Sequence, residues 1–180
     1  VKDDSYILLG LVLPEFLKLL VDVELTDKKD STIGVILCGD LYTSLEKRGS
    51  SGDVRQVWQA FHNAFTWVVG VAGNHDTFGT NAEFEDFKLT KNLFILHKEQ
   101  IKIGGIQIGG ISGIIGNNDK PNRVDEHEYL DNLKAFVNDA LDLVVIHETP
   151  NFPDLNLMGN EKIRRIIESG KESNICCGHC

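Results

Sequence analysis

Short apolar runs separated by amphipathic segments recur along most of this 180-residue chain. Runs of four to eight residues rich in valine, leucine and isoleucine predict buried strands, and apolar residues spaced by three and four predict helices between them. Strands that alternate with helices favour an α/β fold with a largely parallel sheet. Alternating side chains on both sides of Gly104 indicate one antiparallel pair. The predicted strands are residues 6–13, 33–38, 67–72, 93–96, 100–103, 106–111, 143–146 and 174–177.

Helices are predicted in the segments between these strands. Pro14 suits the first turn of a helix, and apolar residues at helical spacing follow it. The inner face of this helix is expected to carry Phe16, Leu17, Leu20 and Val21. The polar residues 26–32 predict a loop, and residues 82–89 predict a short helix. The expected N-caps of three further helices are Asp53, Asp125 and Asn160.

Length and composition narrow the class of protein. The chain fits a single domain over residues 1–180, and no run approaches the roughly 20 apolar residues that span a bilayer. A net charge of -9 argues against a broad nucleic-acid-binding surface. This charge is compatible with an anionic substrate, because bound divalent cations can reverse the local electrostatic potential. Three of the four cysteines crowd at the end of the chain, which is no disulfide framework, so a cytoplasmic location is expected.

Polar side chains with metal-binding or proton-transfer chemistry follow four of the predicted strands. They are Asp40, the pair Asn74 and His75, His147, and His179. The carboxyl ends of parallel strands lie along one edge of a sheet, so these side chains are expected to meet. Each group alone is also ordinary turn or core composition, but their recurrence favours one shared site. Carboxylate, amide and imidazole ligands suit Mn, Fe or Zn.

The order of these residues resembles the motifs of the calcineurin-like metallophosphoesterases. The blocks of that family are Asp-x-His, Gly-Asp, Gly-Asn-His-Asp/Glu, a lone His, and Gly-His-x-His. This chain carries Gly39-Asp40, Gly73-Asn74-His75-Asp76, His147 and Gly178-His179 in the same order. The resemblance implies a four-layered αββα sandwich with mixed sheets. It also implies a phosphoesterase that cleaves a phosphomonoester or phosphodiester through attack by a metal-activated hydroxide.

The resemblance assigns a role to each matched residue. Asp40 would bridge two divalent ions, which could be Mn, Fe, Zn or Mg. The second ion would be held by Asn74, His147 and His179. His75 would stabilise the phosphoryl group or protonate the leaving group, supported by Asp76. The stretch after Asp40 lacks the run typical of Ser/Thr protein phosphatases, so the expected partner is a phosphorylated small molecule or a nucleotide.

The chain departs from the family pattern at the remaining ligands of the first ion. No Asp-x-His occurs in residues 8–14, and the last block stops at Cys180 before its second His. Either a stretch is missing from this sequence or one metal site has been lost. The second reading leaves an alternative function open, in which the chain is a non-catalytic scaffold that binds a protein partner. Cys177-Gly178-His179-Cys180 also resembles a disulfide-isomerase tetrapeptide, but no helix follows to lower the pKa of its thiols.

Overall fold

Valine- and isoleucine-rich runs form the strands of the protein, and amphipathic segments form most of its helices. The computed structural model describes residues 7–25 and 33–179, so the loop expected at residues 26–32 lies outside the described residues. The described helices are α1 (Leu9–Glu24), α2 (Arg55–Ala64), α3 (Asn81–Lys88), α4 (Glu126–Asn138), α5 (Glu161–Ser169) and a 3-10 helix (Pro153–Leu155). The strands are β1 (Gly34–Leu37), β2 (Gly52–Asp53), β3 (Trp67–Gly70), β4 (Asp76–Thr77), β5 (Leu93–Ile95), β6 (Glu99–Ile103), β7 (Ile106–Ile111), β8 (Ile114–Ile115), β9 (Arg123–Val124), β10 (Leu143–Ile146) and β11 (Asn174–Cys177).

The order of the strands in two main sheets determines which of the polar strand ends are adjacent. The first sheet has the order β1-β3-β5 and is parallel throughout. The second has the order β11-β10-β7-β6, and only β6 runs antiparallel to its neighbour, as the alternation around Gly104 predicts. Leu37 pairs with Gly70, and Ile146 pairs with Cys177. The carboxyl ends of β1 and β3 are therefore adjacent, as are those of β10 and β11.

The central strands β3 and β10 are buried along most of their length, which explains why they read as continuous apolar runs. One cluster combines residues of both sheets and includes Val69, Ile108 and Val145. A second cluster joins α1, α2 and α3 to the first sheet, and a third joins α4 and α5 to the second. Neighbouring residues of one strand enter different clusters: Val68 packs with the helices and Val69 between the sheets.

The strand predicted at residues 6–13 is wrong for the residues described, because α1 begins at Leu9; Tyr6 itself lies outside them. Leucine dominates this run, and leucine favours helices more than β-branched residues do. Pro14, expected in the first turn, lies inside the helix. Of the four residues expected on the inner face of this helix, Leu17 and Val21 pack against the hydrophobic core. The other two residues, Phe16 and Leu20, are exposed.

The helix caps follow the sequence more closely. Asp125 and Asn160 are the N-caps of α4 and α5, and each accepts hydrogen bonds from backbone N–H groups of the first turn. Asp53 is not the cap of α2, because it lies in β2 and the helix begins at Arg55 after Val54. The short helix predicted at residues 82–89 is confirmed as α3. Within the described residues, no helix has both the length and the apolarity needed to cross a membrane.

Candidate metal centre

Three of the predicted ligands converge at the carboxyl ends of the strands. Asp40 follows β1, His147 directly follows β10, and His179 follows β11. One ligand atom from each of these residues lies within 4.8 Å of the others. The rings of His147 and His179 are 5.2 Å apart between centroids and inclined at 65°. The structure thus brings together residues that are separated by more than 100 positions in the chain.

His147 is fully buried, and its hydrogen bonds fix which ring nitrogen can bind a metal. Its Nδ1 lies 2.7 Å from the backbone carbonyl oxygen of Cys38. Because a carbonyl can only accept, Nδ1 carries the proton and donates it. A histidine that ligates a metal is commonly oriented by such a bond on its other nitrogen. The Nε2 atom is then directed at Asn74 and Asp40.

The atoms around Nε2 are all hydrogen-bond acceptors. Nε2 lies 3.0 Å from Asn74 Oδ1 and 3.4 Å from Asp40 Oδ1. A neutral imidazole with its proton on Nδ1 presents a lone pair here, as an imidazole that ligates a metal does. Two ligand atoms about 2.1 Å from one ion are about 3.0 Å apart at a right angle and about 3.4 Å apart at the tetrahedral angle. The observed separations therefore fit a shared divalent ion.

Asp40 is held as an ionised carboxylate in a constrained turn. Gly39 and Asp40 both have positive φ, at 87° and 53°. A Cβ on Gly39 would lie 2.6 Å from His147 Nδ1, so only glycine allows this approach. The backbone N–H of His75 donates to Asp40 Oδ1 over 3.0 Å. Burial alone would raise the pKa of Asp40, but the neighbouring His147 and the backbone N–H of His75 outweigh it and hold that pKa below its ordinary value.

Cys38 contributes its backbone carbonyl to the site and not a thiolate. Burial, together with the neighbouring Cys176 and Cys177, raises the pKa of the Cys38 thiol to about 12. The thiol is therefore protonated at neutral pH. The candidate ligands of the site are oxygen and imidazole donors, the types that suit Mn, Fe or Zn.

Asp76 connects the two loops of the site instead of supporting the imidazole of His75. It is almost fully buried. Its Oδ1 accepts from Leu41 N over 2.8 Å, and its Oδ2 accepts from Gly73 N over 2.8 Å. Burial raises the pKa of Asp76 more than these bonds lower it. Both carboxylate oxygens are thus engaged with backbone, and Asp76 acts as a positioning residue for the loops after β1 and β3.

His75 lies on the same loop, with its backbone held at both ends and one ring nitrogen unpaired. Its N–H donates to Asp40, and its carbonyl accepts from Gly52 N over 3.1 Å. Its Nδ1 is buried and has no hydrogen-bond partner among the described residues. A Cβ placed on Gly49 would lie 3.6 Å from the ring, so the loop before β2 approaches it closely. One nitrogen of the ring is therefore enclosed without a hydrogen bond from the described residues.

Two residues that the sequence did not identify stabilise the same loop. Asn122 donates through Nδ2 to the carbonyl oxygens of Gly73, over 2.9 Å, and Asp76, over 2.7 Å. The hydroxyl of Ser112 accepts from Ala72 N and donates to the carbonyl of Leu96. Both lie more than 35 residues from the loop in sequence, in or beside a polar segment with no distinctive pattern. Nothing in the spacing of these residues indicates such contacts.

The stretch in which the Asp-x-His block was sought belongs to helix α1 and supplies no ligand. In residues 7–25 and 33–179, the structure groups one set of His, Cys, Asp or Glu side chains that could hold an ion, namely Asp40, His147 and His179. Comparison of the chain with protein-family models and with curated proteins finds no match in either case. The resemblance to the metallophosphoesterases therefore depends on the ordered motifs.

Proposed function

We propose that the chain is a metal-dependent phosphoesterase domain that hydrolyses a phosphomonoester or a phosphodiester. The observation that supports this best is the convergence of Asp40, His147 and His179, with Asn74 beside them, at the ends of strands from two sheets. The acceptor atoms at this point are spaced as the ligands of one divalent ion would be. The order of the same residues along the chain resembles the metallophosphoesterase motifs.

The proposal includes the fold. A four-layered αββα sandwich with mixed sheets, formed by one domain over residues 1–180, would have three apolar interfaces. The clusters between the two sheets and between each sheet and its helices support this arrangement. A cytoplasmic location remains the expectation from the cysteines, and Cys38 and Cys176 form no disulfide.

The side chains of the site have separate tasks in the proposed reaction. Asp40, Asn74, His147 and His179 would hold a divalent ion, which could be Mn, Fe, Zn or Mg. When bound, such an ion supplies charge to the phosphoryl oxygens and lowers the pKa of water. His75 would donate a proton to the leaving-group oxygen or a hydrogen bond to the phosphoryl group. Asp76 would hold the loops after β1 and β3 together. The resemblance implies two ions, and the described residues provide the ligands of one of them.

The proposed substrate is a phosphorylated small molecule or a nucleotide. A cavity of about 560 Å³ lies beside the loop of the site, with Asp76 and Asn122 in its wall. Its lining includes two cations, Lys88 and Arg123, and the aromatic ring of Phe84. Cations beside an apolar surface suit an anionic molecule with an apolar body, although Glu99 and His97 also line the cavity.

A non-catalytic scaffold is the second candidate, and one observation favours it. Helix α1 occupies the position in the chain where the first metal-binding block was sought, and it contributes no polar ligand to the site. A scaffold has no need of a proton donor, so the buried Nδ1 of His75, which has no hydrogen-bond partner among the described residues, favours the enzyme.

Turnover of chromogenic substrates tests the proposal. We expect the protein to hydrolyse p-nitrophenyl phosphate or bis(p-nitrophenyl) phosphate with Mn²⁺ present, to lose this activity after chelation, and to regain it when Mn²⁺ is restored. The variant His179→Ala should be inactive, and His127→Ala, which alters an exposed histidine of α4, should retain the activity. A metal-loaded protein that is inert on both substrates would contradict the enzyme and favour the scaffold.

A further inference from the structure

Helix α1 carries apolar residues on two of its sides. One side packs on the core of the protein through Leu13, Leu17 and Val21. Large apolar side chains on the second side are exposed: Leu9 by 68%, Phe16 by 62%, Leu19 by 62% and Val23 by 61%. A contiguous exposed apolar surface of this kind marks an interaction site. Within residues 7–25 and 33–179, nothing covers this second side of α1.

The outer residues follow the spacing of a helix-pairing seam. Leu9, Val12, Phe16, Leu19 and Val23 are separated alternately by three and four positions, and we refer to these five residues as the α1 seam. This 3.5-residue period is the one by which two helices pack along their length. No charged residue belongs to the seam itself; Glu15 and Asp22 flank it, and Asp22 pairs with Lys18 on the same helix. Pairing along the seam would leave these charges at the margin of the interface.

We propose that the α1 seam is the interface of a homodimer, in which the seam of one copy packs against the same seam of a second copy. A twofold contact needs only one self-complementary surface, and a seam of this period supplies it. With the adjoining Leu20, which is 57% exposed, the seam presents an apolar area of roughly 600 Å², at the upper end for a monomer. A standard interface uses roughly 800 Å² per partner, so the seam supplies about three-quarters of the area that a stable dimer needs.

An exposed cavity lies at the N-terminal end of α1, where Ile7 and Leu8 directly precede the seam residue Leu9. Its lining also includes Tyr42 and Leu45. Ile7 and Leu45 are themselves large and exposed. The proposal concerns assembly and is independent of the metal centre, because none of the seam residues contributes to that site.

Sedimentation equilibrium and light scattering over a range of concentrations test the proposal on the whole chain. We expect a mass of twice 20.0 kDa for the wild-type protein. Phe16→Glu places a charge at the centre of the seam and should raise the dimer dissociation constant by about 30-fold or more, as loss of an interface hot spot does. Leu89→Glu is the matched control, because Leu89 is 82% exposed and lies away from α1, after α3. This variant should dimerise as the wild type does.

Two outcomes would overturn the proposal. One is a wild-type protein that stays monomeric at the highest concentration tested. Such a protein would then be sedimented with phosphatidylcholine vesicles. Binding to those vesicles would assign the seam to a lipid surface instead. The other is a dimer that Phe16→Glu and Leu19→Glu both leave intact, which would place the interface elsewhere. Circular dichroism checks that each of the three variants is folded. We expect all three to fold, because the altered side chains are exposed.

Discussion

Replacing His147 with alanine is expected to remove the divalent metal from the protein. The Nε2 atom of this residue lies between Asn74 Oδ1 and Asp40 Oδ1, and its ring is held in place by the carbonyl of Cys38. Loss of a residue that only orients a ligand lowers metal affinity about 10–100-fold. Loss of a central ligand should therefore lower the affinity for Mn²⁺ by more than about 100-fold, as measured by calorimetry and by elemental analysis of the purified protein.

Two further variants separate metal loss from unfolding. His147 is fully buried, so its truncation also leaves a cavity in the core. His179→Ala alters a half-buried ligand and should lose metal while the melting temperature of the metal-free protein stays near that of the wild type. His127→Ala, at an exposed position of α4, should keep the full metal content. Equal metal content in the wild type, His147→Ala and His179→Ala would remove these residues from the site.

Replacing His75 with alanine is expected to lower turnover while the metal content is retained. His75 contacts Asp40 only through its backbone N–H, which alanine keeps. Its ring carries a buried Nδ1 without a partner among the described residues. General acid–base catalysis contributes about 10²–10⁴ in rate, so kcat on an alkyl phosphate should decrease by a factor in this range with Mn²⁺ present.

The dependence of this effect on the leaving group identifies the role of His75. A poor leaving group needs a proton as the ester bond breaks, whereas p-nitrophenolate leaves with little help. The loss of kcat in His75→Ala should thus be smaller for p-nitrophenyl phosphate than for an alkyl phosphate. An equal loss on both would indicate a hydrogen bond to the phosphoryl group. Unchanged turnover on both substrates would exclude either role.

The sequence predicts most of the sheet, because valine-rich runs of limited length end abruptly in glycine and polar residues. Such a run at residues 67–72 is too short for a helix, and the structure has β3 there. The run at residues 6–13 has no polar residue to select a period, so strand and helix fit it equally well. Packing decides this case: a Cβ on Gly10 would lie 2.4 Å from Val57, which shows how closely α1 approaches α2.

The sequence also predicts that Asp40, His147 and His179 meet, because each follows a strand, but not the contacts that hold them. Nothing in the sequence indicates that Asp76 accepts from the backbone of Leu41 and Gly73, since a neighbour in sequence need not be a neighbour in hydrogen bonding. Asn122 reaches the loop from 46 residues away. Backbone carbonyls such as that of Cys38 carry no sequence signature at all.

Anomalous X-ray diffraction from crystals grown with Mn²⁺ tests the proposed metal centre. We expect an anomalous peak at the carboxyl ends of β1, β3, β10 and β11, in contact with Asp40 Oδ1, Asn74 Oδ1, His147 Nε2 and the ring of His179. The peak should be absent from crystals of His147→Ala grown in the same solution. A map of the wild-type protein with no Mn²⁺ among these four side chains, at a concentration that saturates binding in solution, would show that they do not form a metal centre.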